Sequence, residues 1–189
     1  MKFKHLIIAL LAAGAGSAFA ADNYNIDPGH TYPSFEADHL GMSVWRGKFN
    51  KTSGTVSLDR TAKTGSLDIV IEAASIDFGH DKMNAQAISE EMFNVEKFPS
   101  VSYKSKSFTF DGERLVAVDG DLTMLGVTKP VKLTINKFKC AISARLKREV
   151  CGADASAEFK RTDFGLNYGI PRFAPEIKLA IQVEAIKAD

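Results

Sequence analysis

Between Pro33 and Leu40 the chain alternates: Phe35, Ala37 and His39 fall on one side of an extended strand, Ser34, Glu36 and Asp38 on the other. Gly41 marks a turn, and beyond it Trp45, Gly47 and Phe49 alternate against Val44, Arg46 and Lys48. A strand, a glycine turn and an aromatic-rich strand predict a hairpin opening an antiparallel sheet. His39 falls on the apolar face, and Gly47 withdraws a side chain between two aromatics. Two readings fit these residues: an ordinary core edge with a satisfied histidine, or a sheet face lining a hollow.

The same period of two returns along the chain. It is seen in Gly54 to Asp59, in Leu67, Ile69, Ile71 and Ala73, and in Val101 and Tyr103. Asp111-Gly112 is a hairpin turn, and LVAVDGDLTMLG is the strand after it. Thr128-Lys129-Pro130 reads as a further turn before Val131, Leu133 and Ile135 share a face. Ala153, Ala155 and Ala157 then occupy successive inward positions, where a packed core needs bulk to reach native density. The last strand turns Ile177, Leu179, Ile181 and Val183 inward. Only between His80 and Asn94 does the period become helical, with Ala85, Ile88 and Met92 in step, Asp81 as N-cap and Phe98-Pro99 as stop. One short helix in a β chain either covers an open end or crosses the surface.

About eight full-length strands with polar outer faces predict an all-β fold, an extended eight-stranded antiparallel barrel, because closure removes exposed edges. The single helix is expected near its open end. Outward Lys, Asp and Glu exclude a barrel embedded in lipid.

Lys2 and Lys4, the apolar run Leu6 to Ala13 and the closing Ala18-Phe19-Ala20 make a three-part secretory signal, cut between Ala20 and Ala21. Removing 20 of the 189 residues leaves residues 21–189 as one domain of 169, expected in the periplasm. Without Lys2 and Lys4 the 24 basic residues become 22 against 23 acidic, a net charge of −1. So even a balance argues against a nucleic-acid partner and against capture by an anionic membrane. No later apolar run reaches the roughly 20 residues of a spanning helix, so stable membrane insertion is not expected. Cys140 and Cys151 are the only cysteines, and a pair in an exported chain predicts a disulfide across a hairpin loop. Closing so short a loop contributes roughly 3 kcal/mol.

A set of landmarks then falls in order. Asp27-x-x-His30 precedes Ser34-Phe35, His39-x-Gly41 and Gly47-x-Phe49; Phe93 and Phe98-Pro99-Ser100 follow. Gly120-x-Leu122-Thr123-x-x-Gly126-x-Thr128-x-Pro130-Val131 and Arg161-x-Asp163-Phe164-Gly165 complete the series. This ordering resembles the YceI-like family of exported, lipocalin-like polyisoprenoid-binding proteins over nearly the whole mature chain. The resemblance implies a lipocalin-like barrel with a long apolar tunnel for an isoprenoid, such as a ubiquinone tail or a polyprenyl (pyro)phosphate, and no catalysis. Where the family usually carries an Arg-Asp pair and then His-Leu at the helix, this chain reads Met83, Asn84, Gln86 and Ala87. That removes the guanidinium best suited to a phosphate, and favours a neutral quinone such as ubiquinone-8.

The expected tunnel wall is Phe35, Ala37, Phe49, Ile69, Ile71, Tyr103, Ala155, Ala157, Leu179 and Ile181, with Met83, Met92, Phe93 and Phe164 at the mouth. His39, Arg46, Asn84 and Tyr168 are the candidates for hydrogen-bonding a polar head. The rivals are an enzyme, a metal- or haem-binding carrier, and a surface interaction module. His30, His39 and His80 lack a metal-ligand spacing, and no G-x-S-x-G elbow occurs. Transient membrane contact and a homodimer are compatible with the carrier reading.

Overall fold

The computed structural model describes residues 21–189, so the signal segment and the Ala20 side of its cleavage site lie outside the described residues. Eleven strands form one sheet in the order β1-β4-β5-β7-β8-β9-β10-β11-β2-β3-β6, closed by a further pairing of β1 with β11. They are β1 Asp22–Ile26, β2 Tyr32–His39, β3 Ser43–Phe49, β4 Thr52–Asp59, β5 Thr64–Glu72 and β6 Ile76–Asp77. The rest are β7 Ser100–Asp111, β8 Arg114–Met124, β9 Val127–Ile142, β10 Glu149–Lys160 and β11 Glu176–Lys187.

The eleven reduce to eight staves. β1 and β2 both pair antiparallel with β11, β1 through Ala185–Lys187 and β2 through Ile177–Gln182. They are therefore one stave interrupted at 27–31. β3 and β4 make the second stave and β5 and β6 the third, since β1 pairs β4, β2 pairs β3, β4 pairs β5 and β3 pairs β6. With β7 to β11 this is a closed up-and-down antiparallel barrel of eight, as the alternation implies.

β1 is the strand that the alternation did not reveal, because its DNYNI carries one aliphatic residue; it nevertheless buries Tyr24 and Ile26. The break after it is stitched by side chains. Asp27 N–H donates to the Glu184 carbonyl at 2.9 Å, and the Thr31 hydroxyl bonds both the carbonyl and the N–H of Glu184 at 3.2 Å. Asp27 also accepts from Gly29 N–H at 2.9 Å and pairs with His30 at 2.8 Å, which accounts for the Asp-x-x-His spacing.

Two sequence expectations are corrected. Thr128-Lys129-Pro130 is not a turn but part of β9, and the turn lies at Leu125-Gly126, both at positive φ. Pro130 is tolerated because the β9–β10 ladder ends at Thr134, so the missing N–H lies on an unpaired edge. The helix α1, Asp81–Ile88, is capped by His80, whose Nδ1 accepts from Met83 N–H at 3.2 Å; Asp81 sits inside the first turn. The helix also stops at Ser89, well before Phe98-Pro99.

The Gly-x-Leu-Thr-x-x-Gly-x-Thr run is the β8–β9 hairpin. Leu125 and Gly126 form its two-residue turn, and the Thr123 and Thr128 hydroxyls meet across it at 2.8 Å. A Cβ on Gly120 would meet the Tyr103 ring and the Lys104 carbonyl at 2.5–2.7 Å. Opposite, Cys140 and Cys151 face each other in register and are joined at 2.04 Å.

The Asp27–His30 pair gives the bulge a pH dependence. The bond to His30 holds the Asp27 carboxyl below its usual 3.8, so its contribution is complete above 3.8 and lost as pH falls through the lowered value. The bond to Asp27 raises His30 above its usual 6.5, so its contribution is complete below 6.5 and lost as pH rises through the raised value. The clasp is thus fullest between those two pH values. Urea midpoints measured across that range and above it are expected to fall on the alkaline side. His30→Gln should flatten that slope; an unchanged slope would place its origin elsewhere.

Candidate functional site

The barrel encloses a cavity of about 400 Å³, within the span of small-molecule sites. Its wall is built from the inward positions of every stave, among them Leu67, Ile69 and Ile71 of β5, Leu133 and Ile135 of β9, and Ile177, Leu179, Ile181 and Val183 of β11. At the far end Tyr24, Leu58, Cys151 and Ala185 pack into a small cluster. Tyr24 donates to Glu149 at 2.5 Å, and Arg60 pairs with Glu149 at 3.0 Å. Burial and that carboxylate together push the Tyr24 phenol far up, so it stays a neutral donor.

The other end is aromatic. His39 stacks between Trp45, at 5.0 Å, and Phe173, at 5.4 Å. Phe78 lies edge-on to Trp45 at 5.8 Å and to Phe35 at 5.3 Å, and Phe49 meets Phe93 at 5.7 Å. Gly47 makes this possible, because a Cβ there would sit 2.5 Å from the tip of the Phe35 ring. Met83 of the helix and Met92 just after it add flexible thioethers to the wall.

Fourteen of the eighteen residues expected from sequence line this cavity: Phe35, Ala37, His39, Phe49, Ile69, Ile71, Met83, Met92, Phe93, Tyr103, Ala155, Tyr168, Leu179 and Ile181. Four do not. Arg46 points outward and pairs with Glu36 at 2.8 Å, as its place between inward Trp45 and Gly47 requires. Asn84 is spent on tethering the helix: its Oδ1 accepts from Phe78 N–H at 2.8 Å and its Nδ2 donates to Asp77 at 3.0 Å. Phe164 is 1% exposed and packs edge-on to Phe159, one layer behind the wall. Ala157 packs on the core and opens to an outer groove instead.

Sequence reasoning missed Arg161 as part of the wall. Arg161 is 7% exposed and pairs with no carboxylate among the described residues; burial lowers its pKa. It donates to the carbonyls of Leu166 and Tyr168 at 2.9 Å, Ala174 at 3.3 Å and Phe173 at 3.4 Å, folding the 165–175 loop over the barrel end. The Arg-x-Asp-Phe-Gly landmark carried the signal: Gly165, at φ 86°, ends the 3-10 turn and Phe164 anchors it. Among the described residues two clusters have metal-ligand chemistry, Asp27-His30-Glu184 and Cys140-Glu149-Cys151. In the first, Asp27 and His30 already bond each other; in the second, the sulfurs are tied in the disulfide.

Gly47→Ala is expected to cost roughly 1–3 kcal/mol by overpacking against Phe35, read from denaturant midpoints. A neutral result would show that the Phe35 ring has room to move.

Comparison with known proteins places this geometry. The chain is 31% identical over 185 residues, 96% of its own length and 95% of the relative's, to Protein YceI of Escherichia coli O6:H1. Its fold matches the crystal structure of Burkholderia cenocepacia BcnA, with TM-score 0.69, 23% identity and coverage of 84% and 98% of the two chains. It also matches a polyisoprenoid binding domain from Saccharophagus degradans implicated in plant cell wall breakdown, at TM-score 0.63 and 16% identity over 87% and 98%. The model of the YceI-like domain matches residues 24–185, nearly the whole barrel, and the chain belongs to that family.

Proposed function

We propose that this protein is an exported, non-enzymatic carrier of an isoprenoid lipid with a neutral head, of which a ubiquinone-type quinone is the best fit. The observation that carries the reading is an apolar cavity of about 400 Å³ whose only lining cation among the described residues, Arg161, already donates to four backbone carbonyls. A phosphate would find no free guanidinium there, which disfavours a polyprenyl (pyro)phosphate. A neutral head needs none. The likeness to a polyisoprenoid binding domain supports the same ligand class.

The histidines support binding rather than catalysis. His39 lies between aromatic rings, and His30 is on the exposed side of the wall, paired with Asp27.

Magnitudes bear on the tail. At about −0.3 kcal/mol per heavy atom, a forty-carbon tail held throughout yields about −12 kcal/mol, a nanomolar dissociation constant. Half of it held yields about −6 kcal/mol, tens of micromolar. Durable carriage of an eight-unit tail therefore asks the tunnel to enclose most of it, and Met83 and Met92 are the wall residues best able to adapt to its course.

The N-terminal signal pattern supports an exported, periplasmic location. Loading would take place at the aromatic end. The tip of the β2–β3 hairpin exposes Leu40 and Met42, the latter 75% exposed, and the 165–175 loop exposes Tyr168 and Ile170. These residues flank His39 and Phe173 of the cavity wall, which suits a brief contact with a lipid surface.

Organic extraction of protein purified from its native compartment, followed by mass spectrometry, tests the ligand class directly; protein that is persistently lipid-free would end this reading. Ala155 is 3% exposed in the wall. Ala155→Phe is expected to weaken lipid binding about tenfold, because a ring displaces roughly one isoprene unit, five heavy atoms worth about 1.5 kcal/mol at about −0.3 kcal/mol each. Met42→Asp is expected to slow uptake from quinone-loaded vesicles without changing affinity for dissolved short-chain quinone.

A further inference from the structure

The buried polar side chains of this apolar wall can be followed one by one. The Tyr24 hydroxyl goes to Glu149, the Thr31 hydroxyl to the backbone of Glu184, and the Tyr103 hydroxyl to the carbonyls of Val118 and Val131. Arg161 is held by the loop carbonyls. Thr52 alone is left over. It lines the cavity, is 3% exposed, and its Oγ1 is the one buried side-chain polar atom among the described residues without a partner.

Its position is set by the broken staves. Thr52 starts β4 directly opposite Ile71. On its other flank, β4 meets β1 only from Thr55 onward, and β3 meets β2 only as far as Lys48. Thr52 therefore faces the level of the 27–31 bulge, midway between the Tyr24 end and the aromatic end. A buried hydroxyl with nothing to bond destabilises the ligand-free protein, and a valine of the same shape would remove that cost.

We propose that Thr52 is the point inside the tunnel that recognises an oxygen atom of the ligand, its side chain rotating to bring the sealed hydroxyl to the tunnel, where it donates to a carbonyl or ether oxygen of an isoprenoid that enters polar end first. This rests on the isoprenoid-carrier reading and narrows it. The ligand is an oxygen-bearing isoprenoid whose head lies at mid-height, with the tail leading back towards the aromatic end. A purely hydrocarbon isoprenoid of similar length would leave the hydroxyl unpaired.

The test uses Trp45, the single tryptophan of the chain and part of the cavity wall, as the reporter. Delipidated mature protein is titrated with a short-tailed ubiquinone analogue, which quenches its fluorescence, and squalene is measured by competition. Thr52→Val is expected to bind the quinone roughly five- to tenfold more weakly, the worth of one hydrogen bond, and squalene unchanged. Thr52→Ser should restore quinone binding, and ligand-free Thr52→Val should melt at or above the wild-type temperature. Equal quinone affinity in wild type and Thr52→Val would overturn the assignment, as would equal weakening of both ligands. So would a Thr52→Val protein that folds poorly, since the hydroxyl would then have a partner in the free state. Wild-type protein that binds neither ligand would overturn the carrier reading as well.

Discussion

The ladder between β11 and the first stave is the seam that turns a sheet into a container. β11 pairs with β10 along one edge over its whole length, from Val150↔Ile186 to Lys160↔Glu176. Along the other it meets β2 and then β1, and between them the ladder is carried by Asp27 and Thr31 on Glu184. Without that stitch the Asp27 N–H and both backbone groups of Glu184 would lose their partners at the seam, which is costly wherever water is kept out. Thr31, 2% exposed, thus does with a side chain what a strand residue does with its backbone.

A closed wall does not by itself make a cavity; under-filling does. Ala37, Ala153 and Ala155 line the hollow where larger residues would have met the opposite staves. The bulk is displaced to the ends, into the Trp45-His39-Phe173 stack on one side and the Tyr24-Leu58 cluster on the other. The buried polar groups of the wall bond the backbone or, at Tyr24, Glu149, so the interior offers water little to bond. Apolar cavities of this kind stay dry and accept apolar guests. Thr52 is the exception among the buried side chains described, and its placement at the level of the bulge puts that hydroxyl in the middle of the tunnel.

Period-two alternation settles much of this. Trp45, Gly47 and Phe49 had to share a side, and β11 had to present Ile177, Leu179, Ile181 and Val183 together. Arg46 had to point the other way, and treating it as a head-group ligand contradicted the same alternation. β1 escaped because its sequence is polar, its burial coming from tertiary pairing with β4 and β11. The N-cap was misplaced by one residue because a histidine ring nitrogen did what a carboxylate usually does.

The chain's own pattern therefore determined the number of staves, their inward faces, the disulfide partners and the helix at the aromatic end. Three-dimensional packing decided which inward residues reach the hollow. Ala155 touches it and Ala157 does not, with a bulge at Asn136 in the facing strand shifting the register just before Ala155. Phe164 lies a layer behind Phe159, Asn84 is consumed by Asp77 and Phe78, and Arg161 by carbonyls up to thirteen residues away. The reason is geometric: alternation fixes the side of a sheet on which a residue lies, whereas depth and hydrogen-bond partners depend on the opposite wall and on loops that meet only after the barrel has closed.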